Sequence, residues 1–263
     1  MPRVEANGLG IFYREAGDGP PVLLVQGLEM DHRGWAMQLP ALRDRFRCLS
    51  FDNRDVGQSD RARAPYTVKE MAADALGLLD ALGVRRAHVV GFSMGGAIAQ
   101  EIAIEHPERV DRLALLSTYT SADARFRALN EGRKALRAKL SLEEYCRATF
   151  PLVYTDRDYG VPDLVEATIQ RVLANPNPQE ADAFARQVDA VDAHHSEDRL
   201  QRIAAPTLVL CGEEDLLTPP RFSRLMAERI PKAQLVLIPE AGHGVVWTRA
   251  DEVNQHLLRF LLA

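Results

Sequence analysis

Three short stretches carry side chains that can perform acyl-transfer chemistry together. The first, Gly91-Phe92-Ser93-Met94-Gly95-Gly96, follows the apolar run His88-Val89-Val90 and passes at once into the helix-forming Ala97-Ile98-Ala99-Gln100-Glu101-Ile102-Ala103. A strand feeding a helix through Gly-x-Ser-x-Gly makes a turn too tight for side chains at Gly91 and Gly95. Ser93 sits strained at its apex with its hydroxyl pushed out of the sheet. The N–H of Met94, in the first helical turn, points at whatever lies over that hydroxyl, and the helix dipole adds partial positive charge there. Gly-x-Ser-x-Gly arises often by chance; this copy is set apart by the strand before it and the helix after it.

A serine hydroxyl is a poor nucleophile until a base within hydrogen-bond reach takes its proton, and that base needs an orienting acid. Both belong at the ends of later strands. Leu208-Val209-Leu210-Cys211 runs into Gly212-Glu213-Glu214-Asp215-Leu216-Leu217-Thr218-Pro219, where three acids compete. Asp215, shorter and stiffer and held between Gly212 and Pro219, is the choice for the acid; Glu213 and Glu214 read as solvated turn charges. Leu235-Val236-Leu237-Ile238 leads to Pro239-Glu240-Ala241-Gly242-His243-Gly244, whose glycines let the imidazole of His243 approach another backbone closely. Ser93, Asp215 and His243 stand in the order nucleophile, acid, base that belongs to serine hydrolases built on a strand–turn–helix elbow.

The elements that must position these residues alternate. Val4–Ala6 and Leu9–Arg14 about Asn7-Gly8 read as a hairpin. Val22–Gln26, Phe46–Phe51, Ala87–Val90, Val110–Leu116, Thr207–Cys211 and Gln234–Ile238 are apolar runs of buried parallel-strand type. Helices are expected around Trp35–Leu42, over Val68–Leu82 behind a Thr67/Glu70 capping box, after Ser93, over Arg221–Ile230 and over Asp251–Leu261. Between about Ser121 and Glu197 the alternation breaks into four helical segments: Phe126–Leu140, Leu142–Phe150 (with a Ser141/Glu144 capping box), Asp163–Leu173 and Glu180–Val191. The fold class is therefore α/β, a doubly wound and mostly parallel sheet, with residues 1–120 and 198–263 as the core and 121–197 as an inserted helical cap over the carboxyl ends of the strands.

The bulk properties exclude several classes. The length of 263 residues suits one large α/β domain with an insertion, and 46% apolar with 6% aromatic residues is ordinary for a globular protein. A net charge of -5 argues against nucleic acid as a partner. Met1 to Gly8 lacks the apolar core of a signal peptide, and no apolar run is long enough to span a bilayer; together these predict a cytoplasmic protein with no membrane association. Cys48, Cys146 and Cys211 are scattered without metal-ligand spacing and read as reduced thiols. No motif for a nucleotide or metal is present, so neither a cofactor nor a metal is expected. The partner is a small-molecule substrate, and homo-oligomerisation is left open. His88 and His106 read as structural or solvated, His194-His195 as hinge surface, and His32 as non-catalytic.

Taken together, these motifs make the chain resemble an α/β-hydrolase, close to the cofactor-free haloperoxidase and 3-oxoadipate enol-lactonase-like group. The resemblance covers nearly the whole length and rests on Asp52-Asn53-Arg54-Asp55-Val56-Gly57-Gln58-Ser59, Gly91 to Gly96, Gly212-x-x-Asp215-x-x-x-Pro219 and Gly242-His243, in the family's order. It implies that Ser93, Asp215 and His243 form a catalytic triad and that Leu28 and Met94 supply the N–H groups of the oxyanion hole. Two departures stand out: Gln26-Gly27 replaces the family's usual His-Gly, and the apolar Gly244-Val245-Val246-Trp247-Thr248 lacks the glutamate many relatives carry. Gln26 can still donate and accept, and is expected to brace the oxyanion loop. Trp35, Phe92, Phe150, Leu152 and Trp247, with Gln26, are the candidates for the substrate pocket, each of the apolar ones competing with plain core. The expected activity is hydrolysis of a small to medium, largely apolar carboxylic ester or lactone. C–C bond hydrolysis, perhydrolysis and a slow-turnover small-molecule receptor share the same framework.

Overall fold

Eight segments rich in apolar and β-branched residues become strands: β1 (Arg3–Ala6), β2 (Leu9–Ala16), β3 (Pro21–Val25), β4 (Arg47–Phe51), β5 (Ala87–Phe92), β6 (Val110–Leu116), β7 (Thr207–Gly212) and β8 (Ala233–Ile238). These come from a computed structural model that describes residues 2–263. One sheet results, in the order β1-β2-β4-β3-β5-β6-β7-β8. The hairpin β1–β2 turns on Asn7 and Gly8, both at positive φ as a tight two-residue turn requires, and β2 runs antiparallel to β4. Every other pairing is parallel.

Both faces are covered, as the unbroken apolar strands demand. Leu23, Val25 and Val89 face the layer of α2 (Val68–Ala81) and α3 (Met94–Glu105), which α9 (Pro220–Arg229) extends. Val22, Leu24, Val90 and Phe92 face α1 (Leu39–Leu42) and α11 (Ala250–Leu261). The strands' period of two therefore divides the core between the faces.

Between β6 and β7 the chain forms only helices: α4 (Ala124–Arg137), α5 (Leu142–Thr149), α6 (Asp156–Tyr159), α7 (Leu164–Leu173) and α8 (Ala181–Ala193). Ser121 and His195 pair in an isolated antiparallel bridge, so the segment leaves and rejoins the sheet at one place. The Thr67/Glu70 and Ser141/Glu144 capping boxes are both formed. A third, Thr155/Asp158, starts the unforeseen α6, with Asp in the place where Glu is the usual signal.

Two further differences have local causes. The helix expected over Trp35–Leu42 is a 3-10 turn at His32–Trp35, capped by the Asp31 side chain, and then α1. Pro40 has no N–H to give to a preceding turn and so starts a new helix. The apolar stretch after His243 contains a one-turn helix, α10 (Val245–Thr248), whose Val245 and Val246 are core. Cys48, Cys146 and Cys211 are buried and unpaired. No helix among the described residues is long and apolar enough to cross a membrane.

Candidate active site

Glycine is forced at the elbow by close approach. A methyl group at Gly95 would lie 2.0 Å from the carbonyl oxygen of Val25, and one at Gly91 would lie 2.3 Å from that of Gly95. Ser93, between them, takes φ 54 and ψ -121. That conformation costs a non-glycine residue on the order of 1–3 kcal/mol, so its surroundings must hold it. Ser93 donates its N–H to Leu116 O at 2.9 Å, and its C=O accepts from Gly96 N at 2.9 Å and Thr118 Oγ1 at 2.6 Å.

Asp215 and His243 meet this serine from the ends of β7 and β8. His243 Nε2 lies 3.0 Å from Ser93 Oγ, and His243 Nδ1 lies 2.8 Å from Asp215 Oδ2. Asp215, 2% exposed, is fully engaged. Its Oδ1 accepts the N–H groups of Leu217 (2.9 Å) and Thr218 (2.8 Å), and its Oδ2 accepts Thr218 Oγ1 (2.9 Å) as well as the imidazole. These donors hold the carboxyl group in place, and its Oδ2 facing Nδ1 favours the imidazole tautomer that leaves Nε2 to accept from the serine. Glu213 and Glu214 are exposed on the same turn and touch none of this.

Above the serine, the turn after β3 crosses close by: a methyl group at Gly27 would come within 3.0 Å of Ser93 Cβ. Among the described residues, neither the Leu28 nor the Met94 N–H has a protein acceptor. Two unspent N–H groups beside a serine are what an oxyanion needs. The Gln26 side chain braces its own turn and makes no hydrogen bond to a neighbouring loop. It is wholly buried, its Oε1 takes only the N–H of its neighbour Gly27 (3.1 Å), and its Nε2 has no partner. The link to the adjacent loop runs instead through the backbone, Asn53 Nδ2 donating to Gln26 O at 3.1 Å.

The pocket candidates separate. Phe92 stacks near His243 (centroids 5.1 Å apart) and meets Trp247 edge-on at 5.2 Å, while Trp247 Nε1 donates to Gly34 O. Trp35 has no exposed surface and packs in the core with Val22 and Leu24, so it is not a cleft wall; its flat apolar body suits either place, and the sequence does not distinguish them. Phe150 is half-buried against Tyr154, and Leu152 lines a surface cleft of about 310 Å³ with Tyr154, Glu214 and Leu216. Between them and the base, Val153 O accepts the N–H of Gly244 at 3.0 Å, tying the helical segment to the His243 loop.

Of the other histidines, His194 differs from the expected hinge surface: it is 5% exposed and lies 3.3 Å from Glu101 of α3. Asp31, His32 and Asp52 bring one donor atom each within 4.8 Å of one another, a spacing that can hold a cation. These atoms already serve the protein. Asp52 accepts His32 N, His32 Nδ1 and Gln58 N, and Asp31 pairs with Arg33.

Comparison with known proteins agrees with this framework. The family model for the alpha/beta hydrolase fold matches residues 20–250. The chain is 33% identical, over 95% of each chain, to a protein of Caulobacter sp. (strain K31) provisionally named carbamate hydrolase RutD. Its structure is similar to the enol-lactonase from Burkholderia xenovorans LB400 (TM-score 0.91, 29% identity, all of both chains covered). It is also similar to a protein of Mycobacterium tuberculosis H37Rv provisionally named non-heme bromoperoxidase BpoC (TM-score 0.88, 29% identity, 96% and 95% covered). With its elbow, its sheet order and a family match over most of its length, the chain belongs to the alpha/beta hydrolase fold family.

Proposed function

We propose that the protein is a serine hydrolase that cleaves a carboxylic ester or lactone through Ser93, His243 and Asp215. The observation that carries this reading is the unbroken hydrogen-bond chain from Ser93 Oγ through His243 to Asp215 Oδ2. Ser93 Oγ attacks the carbonyl carbon as His243 Nε2 takes its proton, and Asp215 stabilises the resulting imidazolium. The N–H groups of Leu28 and Met94 receive the developing oxyanion. The tetrahedral intermediate collapses, His243 returns the proton to the leaving alkoxide, and an acyl group remains on Ser93. Water, deprotonated by the same imidazole, then releases the acid and restores the serine.

Residues 121–197 act as a lid in this reading, with Phe92 and Trp247 as an apolar wall beside the base and Phe150 and Leu152 nearer the entrance. The bonds from Val153 to Gly244 and from α8 to the turn after β3 support it, because they bring the helical segment against both halves of the site. Carbamate cleavage is the second reading, favoured by the relative named for that activity. It uses the same attack: the alkoxide, the better leaving group, departs with the proton from His243, and a carbamoyl group remains on Ser93 for water to release.

The test is covalent. A fluorophosphonate should label the protein once, at Ser93, and Ser93→Ala should lose labelling together with turnover of acyl esters, lactones and aryl carbamates, a loss on the order of 10⁴-fold or more. Undiminished turnover by Ser93→Ala would remove the nucleophile from this serine.

A further inference from the structure

The turn that carries Leu28 is held from outside the sheet. The Leu28 side chain packs with Tyr145, Phe184 and Val188, a small apolar cluster formed by the inserted helices. The next N–H, that of Glu29, donates to Oε1 of Gln187 at 3.1 Å. Gln187 has no exposed surface, and its Nε2 donates to Arg54 O, in the loop after β4, at 3.2 Å. Its neighbour Arg186 grips Asp55 in that same loop with two bonds of 3.0 and 2.9 Å. Arg137 of α4 lies 3.3 Å from the Glu29 carboxylate.

The turn needs this support. Gly27 O accepts Met30 N at 3.3 Å and Glu29 has φ +70, the third position of a turn that ordinarily asks for glycine or asparagine. Three successive peptide planes are held by hydrogen bonds, the first also through Asn53 Nδ2 donating to Gln26 O. Gln26 Oε1 accepts the Gly27 N–H, the Gly27 carbonyl accepts the Met30 N–H, and Gln187 Oε1 accepts the Glu29 N–H. Because the Gly27 carbonyl and the Leu28 N–H share the middle plane, the turn-closing bond directs that N–H outward. Gln187 holds the plane that follows.

The geometry points to Gln187 as a positioning residue: α8, while docked, holds the Glu29 peptide and thereby the direction of the Leu28 N–H, so that the oxyanion hole is complete only with the helical segment in place. This rests on the reading of Ser93 and Leu28 above. The coupling makes docking of the lid a condition for fast acyl transfer, without any contact between Gln187 and substrate.

Gln187→Met keeps the volume and removes both bonds. In the full chain, the rate of fluorophosphonate labelling and kcat for p-nitrophenyl butyrate should each fall about 10-fold to 10²-fold, with KM within about twofold, since the lost alignment counts in the transition state. Amide exchange should quicken in residues 26–31 and stay unchanged in 93–105. Gln187→Glu retains an acceptor for Glu29 and loses the donor to Arg54, so its labelling rate should lie between those of wild type and Gln187→Met. Wild-type labelling by folded Gln187→Met overturns the proposal, as does an equal loss in both variants or a rise in exchange spread evenly over the chain. Labelling of Ser93→Ala at the wild-type rate overturns the nucleophile assignment instead, which keeps the two failures apart.

Discussion

Thr218 Oγ1 lies 3.2 Å from His243 Nδ1 while donating to Asp215 Oδ2 at 2.9 Å, so one hydroxyl touches both the acid and the base. Asp215 keeps two backbone donors without it. Thr218→Val should therefore cost kcat only about 3-fold to 10-fold, whereas Asp215→Asn, which disfavours the needed imidazole tautomer, should cost roughly 10⁴-fold. Gln at Glu213 or Glu214 should leave turnover within about threefold. Steady-state kinetics on one activated ester compares all four, and a larger loss at either glutamate would move the acid.

The Gln26 side chain hydrogen-bonds only within its own turn, which limits what its removal can do. Gln26→Ala should lower kcat by about 10-fold or less at unchanged KM, below the 10²–10³-fold that loss of an oxyanion donor brings. Fluorophosphonate labelling of Ser93 should persist. A deficit as deep as that of Gln187→Met would show that the Gly27 N–H, not the Glu29 peptide, is the sensitive point.

Phe150 and Leu152 sit where the helical segment approaches the base loop. Trp at either position should favour shorter acyl chains, changing the ratio of kcat/KM for p-nitrophenyl butyrate and octanoate by about 10-fold. Melting temperature should move by no more than about 3 °C. A fall in melting temperature with an unchanged ratio would make them structural residues of the segment.

Acid stability should depend on Glu101. Burial raises its carboxyl, but hydrogen bonds from His194 and Arg199 overcome this and draw it down to about 2. A carboxyl lowered by folding stabilises the protein above its unfolded value near 4.5 and loses that contribution as pH falls toward 2; the full term is roughly 3 kcal/mol. His194, lowered by burial, adds a loss that begins as pH drops below 6.5. Glu101→Gln should be less stable than wild type at pH 7 and should show a shallower decline between pH 4.5 and 2, as urea unfolding at each pH will report. Parallel curves for the two proteins would refute the assignment.

What the sequence revealed depended on how local the signal was. Ser93 was legible because strand, glycine, serine, glycine and helix follow one another without a gap, and Asp215 and His243 because each ends an apolar run. Trp35 was not, since an aromatic beside apolar neighbours reads the same in core and cleft. His194 looked like surface next to Ser196 and Glu197, yet its partner Glu101 lies on another helix and nothing near His194 announces it. The bond from Glu29 to Gln187 joins residues 158 apart and leaves no local trace, and Thr218 beside Pro219 reads as ordinary turn chemistry. Partners joined only by tertiary contacts leave no local pattern, so they stay hidden where a strand-end motif does not.

The strained backbone of Ser93 sets fitness against folding. At φ 54 and ψ -121 glycine would sit without penalty, and Ser93→Gly relieves strain on the order of 1–3 kcal/mol while giving back about 0.5–1 kcal/mol to the freer unfolded chain. If Ser93 is the nucleophile as proposed, the inactive variant is then the sturdier molecule. A library of variants sorted only for solubility or heat resistance should drift toward glycine at this position. On the proposed reading, only a screen for turnover would hold the unfavourable serine at the tip of the elbow.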